Sequence, residues 1–201
     1  MTGSNTPIAS VPPRPLPADR IALRLSLIRE EGIEELRDAL QRNSTPLVID
    51  ALIDTVYVSL GTLVEMGAEA DPELLRVAVQ TPNPERPLRV LASRYLAAND
   101  GRLRSLKQDL HAQNERVAAY SLNVIAGRAI QVLNQAGIDA TPFFDEIHRA
   151  NMSKLGADGL PVRSRGWELD NAPAGKSLKG PNYVAPDVAG VYFQLYPDMT
   201  H

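Results

Sequence analysis

Apolar residues recur at helical spacing through most of this chain, and strand-like alternation is rare. The pattern predicts an all-α protein. Ile21, Leu25, Ile28 and Leu36, with Gly32 on the same side, mark one stripe over about 19–41, with Asp19 as N-cap after Pro17. Asn43-Ser44-Thr45-Pro46 breaks that pattern and opens a second helix, which runs to about Met66 and stops at Gly67; Pro46 suits a first helical turn. This second helix, LVIDALIDTVYVSLGTLVEM, is apolar nearly all round, the mark of a buried helix. The spacing further predicts a short helix from Asp71-Pro72 through LLRVAVQ, then a loop over TPNPERP. A helix over about 88–98 ends at Asn99-Asp100-Gly101, and one long helical run covers 103–136 and closes at Gly137. A last helix starts at Thr141-Pro142 and carries FFDEIHRANMSKL, and beyond Gly156 the chain reads as irregular.

Proline placement organises the chain. Five of sixteen prolines fall in the first seventeen residues, and none lies between Pro87 and Pro142. Residues 1–18 therefore read as an extended arm, 19–159 as the helical domain and 160–201 as an irregular tail packed on or closing the site. With only three Phe and one Trp, the core falls to Leu, Ile, Val and Ala. Cysteine is absent, which excludes disulfides, thiolate nucleophiles and Cys-type zinc sites. A formal charge of -3 argues against a nucleic-acid-coating protein but not against a small anionic substrate, since a bound cation inverts the local field. No stretch reads as a membrane span of ~20 uncharged residues, and the N-terminus lacks a secretory core, so the expected location is cytoplasmic, with no membrane partner.

The chemistry is acidic. In REEGIEELRDAL (29–40), Glu31, Glu34, Glu35 and Asp38 fall at helical spacing on one face. Alone, that describes a solvated surface. The second helix changes the picture, because Asp50 and Asp54 stand one turn apart on an apolar rod, while Tyr57, Val58 and Gly61 occupy the positions where a solvent stripe would continue. Buried carboxylates are costly unless paired or metal-bound, and Arg24 and Arg37 are the ion-pair candidates. A short connection makes the two helices antiparallel. Opposing residue numbers then sum to about 88, which sets Glu34 across from Asp54 and Asp38 across from Asp50, with Glu31 and Glu35 within a turn. Such carboxylates raise one another's pKa, and a hard divalent cation, Mg²⁺ or Mn²⁺, relieves them. His111 and His201 stand apart and offer no zinc pair. Without a Ser–His arrangement, GxGxxG or GxxxxGK[ST], the set points to metal-assisted hydrolysis of a phosphoanhydride.

LIREEGIEELRDAL (27–40) followed by DALIDTVYVSLGTLVEMG (50–67) resembles the MazG-like all-α nucleoside triphosphate pyrophosphohydrolases, a superfamily that includes dimeric dUTPases and phosphoribosyl-ATP pyrophosphohydrolase. FFDEIHRANMSKLGADG (143–159) and GKSLKGPNYVAPD (175–187) resemble the closing segments of its phage and actinobacterial branch. The resemblance covers about 20–67 and 120–187. It implies a MazG-like helical bundle with an inserted helical segment at 68–119. The family signature, E-x-x-E then E-x-x-D, maps onto Glu31, Glu34 and Asp54. The sequence departs from it at Ala51, with Asp50 one position earlier, and the first pair is stretched by a residue, which makes Glu35 an alternative to Glu34. The implied metal ligands are Glu31, Glu34, Glu35, Asp50 and Asp54, with Glu34 or Glu35 activating water. The implied reaction converts a (deoxy)nucleoside triphosphate to the monophosphate and pyrophosphate. MazZ-type phage members, similar in length and tail, suggest a purine substrate such as dGTP. A dUTPase-like specificity and a catalytically silent binding module are the alternatives.

Asn151, Lys154, Lys176, Lys179 and Tyr183 are the candidate substrate contacts: an amide for base or ribose, point charges for phosphate, and a ring to stack on a purine. The family implies a homodimer or homotetramer.

Overall fold

The computed structural model describes residues 12–72 and 87–199. Helix α1 (Ala18–Arg29) passes through a π-helical turn (Glu30–Glu35) into α2 (Leu36–Gln41). Then come α3 (Thr45–Met66), α4 (Leu88–His111), α5 (Glu115–Gln135), α6 (Thr141–Met152), α7 (Trp167–Asp170) and α8 (Val188–Leu195). Among the described residues there is no strand, and only two isolated bridges occur, Leu155 with Pro161 and Arg163 with Ser177. The fold is an all-α bundle.

Helix α3 is its axis. Ser44 opens it by accepting a 3.5 Å hydrogen bond from the Leu47 amide, with Pro46 in the first turn. Gly67, at φ 65, closes it in the left-handed conformation, with the Ala68 amide donating back to the Leu63 carbonyl at 2.9 Å. Ile49, Leu52, Ile53, Leu63 and Met66 are fully buried against α5 and the flanking helices. By length and composition α3 is apolar enough to cross a membrane, although Asp50, Asp54 and Glu65 leave it no uncharged run of ~20 residues. Its place at the centre of the bundle accounts for that composition.

Two core clusters divide the work. One joins α2, the first half of α3, the start of α4, the end of α5, α6 and α8, around Leu36, Ile53 and Phe143. The other joins α1, the end of α3, the end of α4 and the start of α5, around Ile28, Leu63 and Leu106.

The boundaries differ from expectation at three places. Pro17, not Asp19, holds the N-cap position of α1, and Asp19 lies in the first turn. Asn99-Asp100-Gly101 does not end a helix: α4 runs straight through it with Asn99 fully buried. The break falls instead at 112–114, where Gln113 has φ 57 and the Asn114 amide donates to the Asp109 carbonyl at 2.9 Å. A mid-helix glycine costs about 1 kcal/mol. Burying Leu91, Tyr95, Leu103 and Leu106 on one rod outweighs that, whereas exposed Ala112, Gln113 and Asn114 have nothing to bury. The tail is not wholly irregular. Asp187 caps α8 by accepting from the Gly190 amide, and Val188 and Tyr192 bury themselves in the core. The short helix expected from 71 to 80 lies, beyond Asp71 and Pro72, outside the described residues. So do most of the 81–87 loop, the arm before residue 12, and His201.

Candidate metal centre

The acidic segment folds as a π turn, which amounts to one residue inserted into an α-helix. Its trace is in the core: Ile28 and Ile33, five apart, are both buried, so the apolar stripe slips by one position here. Each residue advances an α-helix by about 100°. After the insertion Glu35 therefore holds the angular place that Glu34 would have had, and Glu34 is turned outward. Accordingly, Glu34 lies outside the cluster: its carboxylate is 55% exposed and accepts a 3.0 Å hydrogen bond from Arg29 Nε. Asp38 likewise does not face Asp50, because it is exposed and pairs with Arg42 at 2.8 Å.

What converges is Glu31, Glu35 and Asp54, with one carboxylate oxygen from each lying within 4.8 Å of the others. Asp50 adjoins the group one turn back along α3. Burial, then the charges of Asp54 and Glu35, push Glu31 up to about 9. Burial, then Asp50 and Glu35, push Asp54 up to about 7, with Lys154 acting in the opposite direction. Burial and Glu35 push Asp50 up to about 6. Among the described residues, Glu31 Oε2 and Asp50 Oδ1 are buried without a hydrogen-bond partner. Clustered carboxylates with unspent buried lone pairs fit a hard divalent cation, which takes oxygen ligands.

Among the described residues, no salt bridge satisfies these acids instead. Arg24 Nε donates to Glu65 at 2.6 Å, Arg20 Nε donates to the other Glu65 oxygen at 2.5 Å, and Arg37 is exposed. Burial works upward on Glu65, but hydrogen bonds and charge from Arg20 and Arg24 outweigh it and hold the group at about 2. Arg24, expected as a partner for Asp50 or Asp54, serves Glu65 instead, and Arg20 was not foreseen. The signal was present in Glu65, a third acid on the face of α3 that carries Asp54, Val58 and Gly61, and one that needed a partner.

Glu31 and Asp54 open into a cavity of about 290 Å³. Tyr57, Asn151, Lys154 and Lys176 line it, together with Arg20 and Arg163, which were also unforeseen. Lys154 Nζ donates to Asn151 Oδ1 at 2.7 Å, and Asn151 Nδ2 donates to the Ile147 carbonyl at 3.0 Å, so the amide fixes the lysine just past the end of α6. Burial depresses the Lys154 pKa. Lys176 pairs with Glu30 at 3.1 Å. Gly175, at φ 80, brings the tail backbone over α1, where both Arg163 and Arg20 donate to its carbonyl. Lys179 and Tyr183 stand one layer out: the two lysine ammoniums, Lys179 and Lys154, lie 4.9 and 5.7 Å from the Tyr183 ring centroid. Tyr57 meets His148 at 3.3 Å, and that imidazole stacks on Phe144 away from the acids.

Residues 4–81 match the family described as phosphoribosyl-ATP pyrophosphohydrolase. The chain is also similar to an uncharacterized protein of Acanthamoeba polyphaga mimivirus, 26% identical over 153 residues, a stretch that covers 67% of this chain and 59% of that relative. No solved structure matches. The family match contains the whole π turn, Asp50, Asp54 and Glu65, so it coincides with the acidic hairpin. The matched hairpin and the helical bundle built around it give this chain the MazG-like all-α architecture, and the family it matches is one of pyrophosphohydrolases, which cleave phosphoanhydride bonds.

Proposed function

We propose that this chain is a divalent-cation-dependent nucleotide pyrophosphohydrolase that converts a (deoxy)nucleoside triphosphate to the monophosphate and pyrophosphate. The supporting observation is the meeting of Glu31, Glu35 and Asp54 beside buried, unpartnered carboxylate oxygens at the mouth of a lysine-lined cavity. Glu31, Asp50 and Asp54 hold Mg²⁺ or Mn²⁺. When bound, such an ion gathers phosphate oxygens and acidifies the attacking water. Glu35 completes the ligand set and, as its exposed member, accepts the water proton. Lys154 and Lys176 offset the charge of the phosphate chain, Asn151 keeps Lys154 aimed at it, and Tyr183 with Lys179 backs that lysine from the outer side.

The first substrate to test is a purine deoxynucleotide, dGTP. The family match favours a second, phosphoribosyl-ATP. The chain acts as a homodimer or homotetramer; exposed Val64, Val117 and Tyr120 supply apolar surface for such contacts, and light scattering measures the order.

A product assay decides the reaction. The common ribo- and deoxynucleoside triphosphates and phosphoribosyl-ATP are incubated with Mg²⁺, Mn²⁺ or a chelator, and pyrophosphate is measured separately from inorganic phosphate. Pyrophosphate with monophosphate, formed only when metal is present, is expected. Preference for dUTP moves the substrate class to dUTPase type, and absence of turnover on every compound refutes an enzyme.

A further inference from the structure

Glu31 and Glu35 flank Gly32, the point where the π turn meets the rest of the bundle. Gly32 is buried. A methyl group at this position would stand 3.1 Å from Asn99 Nδ2 of α4 and 3.3 Å from Thr55 Oγ1 of α3. Neither neighbour is a loose side chain. Thr55 is fully buried and donates to the Ala51 carbonyl at 2.7 Å, and it adjoins Asp54 in sequence. Asn99 is fully buried on α4 beside the Tyr95 hydroxyl, which also neighbours Thr55, and its amide atoms make no hydrogen bond of good geometry. A buried amide with so little hydrogen bonding costs stability that an apolar residue here would not. A π turn is itself a departure from the cheaper α-helical bonding and needs its surroundings to hold it. The two costs meet at one contact.

We propose that Gly32 and Asn99 form a positioning pair that seats the π turn against α4 and so sets the spacing of the Glu31 and Glu35 carboxylates for a divalent cation. This rests on the metal-binding reading given above. Thr55 ties the same contact to Asp54, so one packing point governs all three converging carboxylates.

Mn²⁺ binding, followed by calorimetry on the full chain, provides the test. Gly32→Ala lifts the turn off Asn99 by a few tenths of an ångström, and Mn²⁺ affinity is expected to fall about tenfold or more, the scale on which supporting partners of metal ligands act. Asn99→Ala in that background removes the atom the new methyl meets and restores most of the loss, a recovery that general destabilisation cannot produce. Asn99→Gln pushes on the turn from α4 without touching the acidic segment, so it reports even if Gly32→Ala does not fold. It is expected to weaken Mn²⁺ binding and lower kcat while circular dichroism keeps its helical signal. Wild-type affinity in both Gly32→Ala and Asn99→Gln, or no recovery in the double variant, overturns the pairing. A wild-type chain that takes up no Mn²⁺ instead overturns the metal reading itself.

Discussion

Asp54 makes the metal question measurable through stability. Its folded-state pKa is raised from 3.8 to about 7, chiefly by burial and then by Asp50 and Glu35. A carboxyl raised in this way leaves stability intact below its unfolded pKa and removes it as pH climbs through the folded value. Over about three pH units, at about 1.4 kcal/mol each, the cation-free protein loses about 4 kcal/mol through Asp54 by pH 8. Glu31 and Asp50 move in the same direction, at about 9 and about 6, but share the same repulsions and do not simply add. For a chain of this size, about 2–4 °C per kcal/mol converts the loss to roughly 8–16 °C in Tm. Mn²⁺ or Mg²⁺ on the deprotonated acids relieves it. Differential scanning fluorimetry with and without millimolar Mn²⁺ is therefore expected to show an increase on the order of 10 °C at pH 8. At pH 5.5 protons already occupy the acids, and little increase is expected. Asp54→Asn removes the titration, so the cation-free variant is expected to melt higher than wild type at pH 8 while losing the metal response. An Mn²⁺ shift of equal size at both pH values, or a cation-free Asp54→Asn that melts lower than wild type at pH 8, refutes this reasoning.

The π turn separates two adjacent glutamates. Glu35→Gln is expected to abolish metal-dependent pyrophosphate release, whereas Glu34→Gln leaves it near wild type because Glu34 only meets exposed Arg29; steady-state turnover of both variants is the check. Lys154→Met removes a charge-assisted contact of about 1.5–3 kcal/mol, so KM for the triphosphate is expected to rise about 10–100-fold in initial-rate assays, with metal affinity largely kept. Glu65, held at about 2, contributes stability that is present above its ordinary pKa near 4.5 and lost as pH falls through 2. Glu65→Gln is expected to cost about 2 kcal/mol at pH 7, or roughly 4–8 °C in Tm, and to remove the steepest part of the acid limb below pH 4 in a melting series.

Much of the acidic half of the site was legible because it rests on a contradiction visible in one dimension. Asp50 and Asp54 interrupt a helix with no polar face to put them on, and a short turn after Gln41 leaves only the preceding helix to answer them. Which glutamate answers was not legible. Both Glu34 and Glu35 lie within a turn of Glu31 on an ideal helix, and the choice is made by a π turn whose Gly32 packs close to Asn99, some 67 positions away in sequence. The one local trace was the five-residue step from Ile28 to Ile33. The same limit governs the helix breaks. Asn99-Asp100-Gly101 has turn-forming residues but a buried face to serve, and 112–114 has none, so burial, which sequence spacing reports only indirectly, overrode local preference.

The basic half of the site was hard to read for a different reason: its charges come from three separate places. Arg20 sits on α1, Lys154 at the end of α6, and Arg163 and Lys176 on a tail without helical period. No spacing rule links them. What joins them is backbone, since the Gly175 carbonyl receives both Arg163 and Arg20, and a methyl at that glycine would lie 2.6 Å from the Arg20 guanidinium. Gly175 also has a φ of 80, where a side chain is strained. The cavity is walled on one side by carboxylates of the bundle and on the other by Arg20, Lys154 and the tail cations Arg163 and Lys176. On the proposed function the bundle would hold the cation and 163–187 would share the triphosphate with Lys154, so substitutions in the tail are expected to change which nucleotide is cleaved without changing the affinity for Mn²⁺.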